Sequence, residues 1–83
     1  MKDKVIVTVR TKEGYTADWE LPGNVPVAEL LAPCASALHR VAPGVYAEDD
    51  VLSLLCGGAA LEPEESLLRQ GVYTGSIIEI RRR

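Results

Sequence analysis

The sequence predicts an α+β domain, a mixed four- to five-stranded sheet with one helix packed across it. Three observations lead there. Two runs of strict two-residue alternation open the chain, a single apolar stripe at three- and four-residue steps follows, and the remainder is short apolar runs punctuated by glycine, proline and acidic turns. Neither a helical stripe nor a half-apolar strand can bury itself. In a chain of 83 residues they have only each other as cover.

Residues 3–10, DKVIVTVR, are β-branched, with Val5, Val7 and Val9 on one face and Ile6, Thr8 and Arg10 on the other. Thr11-Lys12-Glu13-Gly14 is a polar turn. Residues 15–21 alternate again, Tyr15, Ala17, Trp19 and Leu21 against Thr16, Asp18 and Glu20, which makes an N-terminal hairpin with one buried face. Pro26 suits the first turn of a helix, where no backbone N–H is required. Val27, Leu30, Leu31, Cys34, Leu38 and Val41 form its apolar stripe, and Pro43-Gly44 stops it. Pro33 removes a hydrogen bond and crowds the carbonyl of Glu29, at a cost of roughly 3 kcal/mol. Either the helix bends there or it divides into two segments; the unbroken stripe favours one kinked helix.

Val45 to Asp50 is a connection, and Val51 to Cys56 a strand, with Leu52, Leu54 and Cys56 on one side and Ser53 and Leu55 on the other. Gly57-Gly58 turns the chain into a short return ending at Leu61. Pro63 and the acids Glu62, Glu64 and Glu65 hold the next turn in water; an apolar half-turn at Ser66, Leu67 and Leu68 precedes Gly71-Val72. Ser76 to Ile80 closes the sheet, Ile78 and Ile80 inward, Ile77 and Glu79 outward. The helical crossover predicts that the first and last strands lie side by side. No linker or repeat divides residues 1–83, which read as one domain.

Apolar residues near half and charged residues near a quarter describe a globule, not a disordered chain. The net charge of −3 argues against a general nucleic-acid binder, despite the closing Arg81-Arg82-Arg83. No run approaches the ~18 apolar residues of a membrane span, and MKDKVIVTV lacks the apolar core of a signal peptide. The expected location is cytoplasmic. Cys34 and Cys56 each fall in an apolar pattern and read as structural thiols. With no CxxC and one histidine, neither a metal nor another cofactor is expected. His39 has no nucleophile or acid arranged beside it in sequence, and Asp49-Asp50 and the Glu62–Glu65 acids sit in turn-like sequence as solvated charge. No catalytic constellation emerges.

The order of elements is that of a β-grasp fold. Gly58, Leu61, Leu67, Val72 and Ile78-Glu79-Ile80 resemble the second half of ubiquitin, and Val27, Leu30 and Cys34 fall where its helix buries aliphatic residues. More narrowly, ELPGNVPVAELL (Glu20 to Leu31) and the ending Leu61, Ser66-Leu67, Gly71-Val72, Gly75-Ser76-Ile77-Ile78 are similar to the YukD/EsaB proteins of bacterial type VII secretion and to the N-terminal domain of the membrane protein EccD. That resemblance implies a non-conjugated module that binds protein partners, among them cytoplasmic parts of a secretion membrane complex.

Ubiquitin and the sulfur carriers need a flexible C-terminal Gly-Gly. Here the last strand runs into Arg81-Arg82-Arg83 and Gly57-Gly58 is internal, which disfavours conjugation and sulfur transfer. A small scaffold subunit of a multicomponent oxygenase is the alternative. Ubiquitin is recognised through an apolar patch on the outer sheet face, and Leu55 falls at the matching central position. Ser53, Leu55, Glu79 and Arg81, with Arg82 and Arg83 beyond them, are the expected partner surface. Direct membrane contact through three arginines is marginal, at about 1 kcal/mol each.

Overall fold

In the computed structural model, residues 3–83 are described. Strands β1 (Lys4–Thr11) and β2 (Thr16–Pro22) form the antiparallel hairpin, with an unbroken register from Lys4↔Pro22 to Arg10↔Thr16. Helix α1 (Ala28–Val41) leads to β3 (Leu52–Cys56), which turns through Gly57-Gly58 into the two-residue β4 (Ala59–Ala60). A 3₁₀ turn (Leu68–Gln70) precedes β5 (Ile77–Arg82). The sheet order is β2-β1-β5-β3-β4, and β1 and β5 are parallel neighbours as the crossover predicts. The architecture is the ubiquitin-like β-grasp.

Gly57 and Gly58 have φ of 61° and 84° between the paired Cys56 and Ala59. A two-residue hairpin loop that follows the sheet's twist needs positive φ at both positions, which is why both are glycine.

The helix begins at Ala28, two residues later than Pro26 suggested. Pro26 instead bridges to Ser66, and the N–H groups of Val27 and Ala28 donate to the carbonyls of Glu65 and Pro63, both at 2.9 Å. Loop carbonyls thus satisfy N–H groups at the helix start, and no side chain caps them. Pro33 does not divide the helix: α1 is continuous through it, with the ring on the exposed side. The helix ends where Pro43 forces the preceding Ala42 into an extended φ of −145°.

Val5, Val7 and Val9, Leu52 and Leu54, and Ile78 and Ile80 line the sheet's inner face; Leu30, Cys34, Ala35 and Leu38 meet them from α1, and Leu67 and Val72 close one end. Burial departs from the expected pattern at Val41 and at Tyr46. Val41 has the right angle but is the last helical residue, and 53% of it stays in water. Tyr46, in the connection between α1 and β3, is only 3% exposed and belongs to the core. Strand β5 also outruns its expected end, because Arg81 and Arg82 pair with Ser53 and Leu52. Among the described residues, no helix is long and apolar enough to cross a membrane.

Gly23 is a packing contact without a side chain. A Cβ there would meet the Asp3 carbonyl oxygen at 2.8 Å and Leu68 Cγ at 2.9 Å, while the Gly23 backbone bonds both neighbours, N–H to Asp3 O at 2.6 Å and C=O from Leu68 N–H at 3.0 Å. Gly23→Ala should therefore destabilise the fold by about 1–3 kcal/mol in urea denaturation. Gly44→Ala, where nothing lies within 4 Å, should be close to neutral.

Candidate interaction surface

Alternation along β3 and β5 decides which way each expected surface residue points. Ser53 sits opposite Arg81 and Leu55 opposite Glu79, so these four share the outer face, away from α1. Arg81 Nε reaches Glu79 Oε2 at 3.1 Å, and Arg83 Nε donates to Ser53 Oγ at 2.8 Å. Both are exposed contacts, worth a fraction of a kcal/mol and easily exchanged for a partner's.

Leu55 is not the exposed leucine that ubiquitin's patch suggested: it is 8% exposed. It lies outside the helix-side core cluster, between its cross-strand neighbours Ala60 and Glu79. It lines a shallow depression of about 450 Å³ with Arg10, Gly57, Gly58, Ile77 and Glu79. Exposed apolar side chains on this face include Ile77 and Ile6, each 49% exposed. Parallel pairing of β1 with β5, with Thr8 opposite Ile77, brings them near each other. Alternation marks both as outward, but only the pairing of chain ends puts them on one patch.

Arg82 leaves this surface altogether. It shares its face with Ile78 and Ile80, and its guanidinium donates to Glu13 Oε2 at 2.9 Å and to the Val45 carbonyl at 2.7 Å, lying 5.5 Å from the Tyr46 ring centroid. The Tyr46 hydroxyl donates to Glu13 Oε1 at 3.0 Å and receives the Thr11 hydroxyl at 2.7 Å. Thr11 Oγ1 in turn accepts the Tyr15 N–H. Burial pushes the Glu13 carboxyl up, but the hydrogen bonds from Arg82, its own backbone and Tyr46, together with the Arg82 charge, hold it below its ordinary value. Burial pushes the Tyr46 phenol up, and acceptance by Glu13 adds to that. The expected free cation is a tie between the chain's last strand, its first turn and the loop after α1.

The remaining chemical groups are also committed locally. His39 Nδ1 donates to the Tyr46 carbonyl at 2.8 Å. Among the described residues, no cluster of His, Cys, Asp or Glu is suited to a metal ion. Cys34 is 2% exposed and burial pushes its thiol up to about 11, whereas Cys56 is half-buried. In the native protein a thiol reagent at neutral pH should label Cys56 first, with Cys34 following only on unfolding; mass spectrometry of partially labelled protein checks the order.

Glu13 supplies a pH-dependent contribution. A depressed carboxylate stabilises the fold above its unfolded pKa, and the contribution is lost as pH falls through its native one. Glu13→Gln should lower the melting temperature at neutral pH. Its deficit against the parent should begin to shrink below about pH 4.5 and close only as pH falls through the lower native value, where the parent's carboxylate is protonated too.

Comparisons with known proteins agree with this fold. The chain is similar to part of the "MycP5-free ESX-5 inner membrane complex, State II", at 27% identity and a TM-score of 0.82. That alignment covers 99% of this chain and 21% of the other, so the chain spans about a fifth of that relative. It also resembles the ubiquitin-like domain of the Mycobacterium tuberculosis type VII secretion system protein EccD1, at 23% identity and TM-score 0.75 over 93% of this chain and 96% of that one. The EccD5 ubiquitin-like domain from Mycobacterium xenopi matches at 18% and 0.81, over 99% and 97%. The latter two likenesses speak to fold alone. No curated protein matches. Residues 4–80 match the family described as "WXG100 protein secretion system (Wss), protein YukD", and with nearly the whole chain inside that match, the protein belongs to the YukD family.

Proposed function

We propose that this chain is a non-catalytic, non-conjugated ubiquitin-like module that docks, in the cytoplasm, on components of a type VII secretion membrane complex. The observation that carries the proposal is the family match over residues 4–80, supported by the likeness to a segment of the ESX-5 inner membrane complex and, at 26% identity, to one of the ESX-3 core complex. The outer sheet face is the docking surface. Ile6 and Ile77 supply exposed apolar area, the depression lined by Leu55 accepts a small side chain, and Arg10, Glu79 and Arg81 set charge register. An apolar centre with a charged rim is the composition of a protein interface. No metal or other cofactor takes part in it.

The test is co-purification with, and titration against, the cytoplasmic portions of the cognate secretion complex. Ile77→Glu with Arg81→Glu should weaken binding by tenfold or more, about 1.4 kcal/mol, and leave the melting temperature nearly unchanged because both side chains are exposed. Unchanged binding excludes this face. Leu55→Glu is a poorer probe, since a carboxylate in so covered a position would also perturb folding.

A further inference from the structure

We infer that the free edge of β2, with the groove beside it, takes up an extended segment of a partner protein as an added strand whose side chains alternate apolar and basic. The sheet has two edges, and they are unequal. β4 is two residues long, whereas β2 runs from Thr16 to Pro22 in unbroken register with β1. Thr11 N–H donates to Tyr15 O, and Gly23 N–H to Asp3 O. By antiparallel alternation, Ala17, Trp19 and Leu21 bond to β1, and Thr16, Asp18 and Glu20 turn their N–H and C=O groups outward. That is a template for another strand.

The two sides of this edge differ in chemistry. Toward α1 lies a predominantly apolar groove of about 570 Å³, lined by Trp19, Leu21, Leu30 and Cys34 and bordered by Pro33 and Ala37. It stays open because the helix approaches β3 more closely than β2, and because Pro33 and Ala37 are short. Trp19 is held in place by its indole N–H to the Tyr15 hydroxyl, 3.1 Å, so the groove is preformed. On the opposite face of β2 stand Asp18 and Glu20, whose ties among the described residues are an exposed bond from Thr8 and an exposed contact with Lys4 at 4.0 Å.

An added strand inherits this alternation, because cross-strand neighbours share a face. Its residues opposite Ala17 and Trp19 enter the groove and must be apolar. Its residues opposite Asp18 and Glu20 meet carboxylates and must be basic. The same charges argue against a second copy of this chain, since two β2 edges would set carboxylates against carboxylates. The groove lies on the other side of the sheet from the outer-face depression, although Glu20 adjoins the outer face opposite Ile6, and the inference does not depend on the family assignment.

The probe is a short peptide of alternating valine and lysine, with an alternating valine–glutamate peptide as control. Binding is followed by the fluorescence of the single tryptophan, Trp19, and by backbone amide shifts and exchange. The valine–lysine peptide should bind at or below about 1 mM, shift the β2 amides and the Trp19 indole, and slow exchange at Asp18 and Glu20. Ala37→Arg, which fills the groove from the helix, should weaken binding about tenfold. Asp18→Pro removes one outward donor without touching the β1 ladder and should abolish it. Asp18→Lys with Glu20→Lys should reverse the preference to valine–glutamate. Ile77→Glu should change nothing, which separates this site from the outer face. The inference is overturned by absence of binding at that concentration, by equal binding of the two peptides, by shifts confined to the outer face, or by dimerisation through these same amides.

Discussion

The parallel pairing of β1 with β5 is the constraint on which the rest of the structure depends. It joins the first and last strands across nearly the whole chain, from Thr8 opposite Ile77 to Thr11 opposite Ile80. Because a strand's side chains alternate, that register fixes the direction of every residue in β5 at once. Ile78 and Ile80 must enter the core, Ile77, Glu79 and Arg81 must leave it, and Arg82 must turn back toward α1. A slip of one residue would expose both core isoleucines, Ile78 and Ile80, and bury a glutamate.

The loop after β4 is the second support. Its carbonyls at Pro63 and Glu65 receive the first N–H groups of the helix region, and the loop itself is clamped by one side chain. Gln70 Oε1 accepts the Glu62 N–H at 2.7 Å, and its Nε2 donates to the carbonyls of Glu62, Glu65 and Ser66. A helix that carries Pro33 in its interior lacks a full set of intrahelical bonds. Its start is held from outside by a segment over thirty residues away in sequence, one way a small domain compensates for a weak local element.

These two supports leave three surfaces with different chemistry. The inner face is consumed by packing. The outer face carries isoleucines, a leucine-lined depression and a paired Glu79–Arg81, a mixed surface of the kind a protein partner covers. The β2 edge is an open ladder flanked by acids on one side and an apolar groove on the other. Family membership places such a chain in type VII secretion, and the two proposed contact surfaces, which meet where Ile6 stands opposite Glu20, would suit an assembly built from several chains.

What the sequence determined by itself is what depends on local period and turn chemistry. Alternation in β1, β2 and β3, the stripe at Leu30, Cys34 and Leu38, the double-glycine hairpin turn and the burial of Leu67 and Val72 were all legible there, and together they were enough for the fold. The tertiary structure decided whatever depends on a distant partner. Tyr46 reads as a loop residue until Thr11, Glu13 and Arg82 converge on it from both ends of the chain. Arg82 reads as a free cation until its strand extends far enough to point it inward. Leu55 lies on the outer face as its alternation says, yet its neighbours on adjacent strands leave it only 8% exposed. The groove at Trp19 exists because of where the helix crosses the sheet, and a crossing position has no periodicity to read. Period reports which face a residue occupies; only packing reports what stands opposite it.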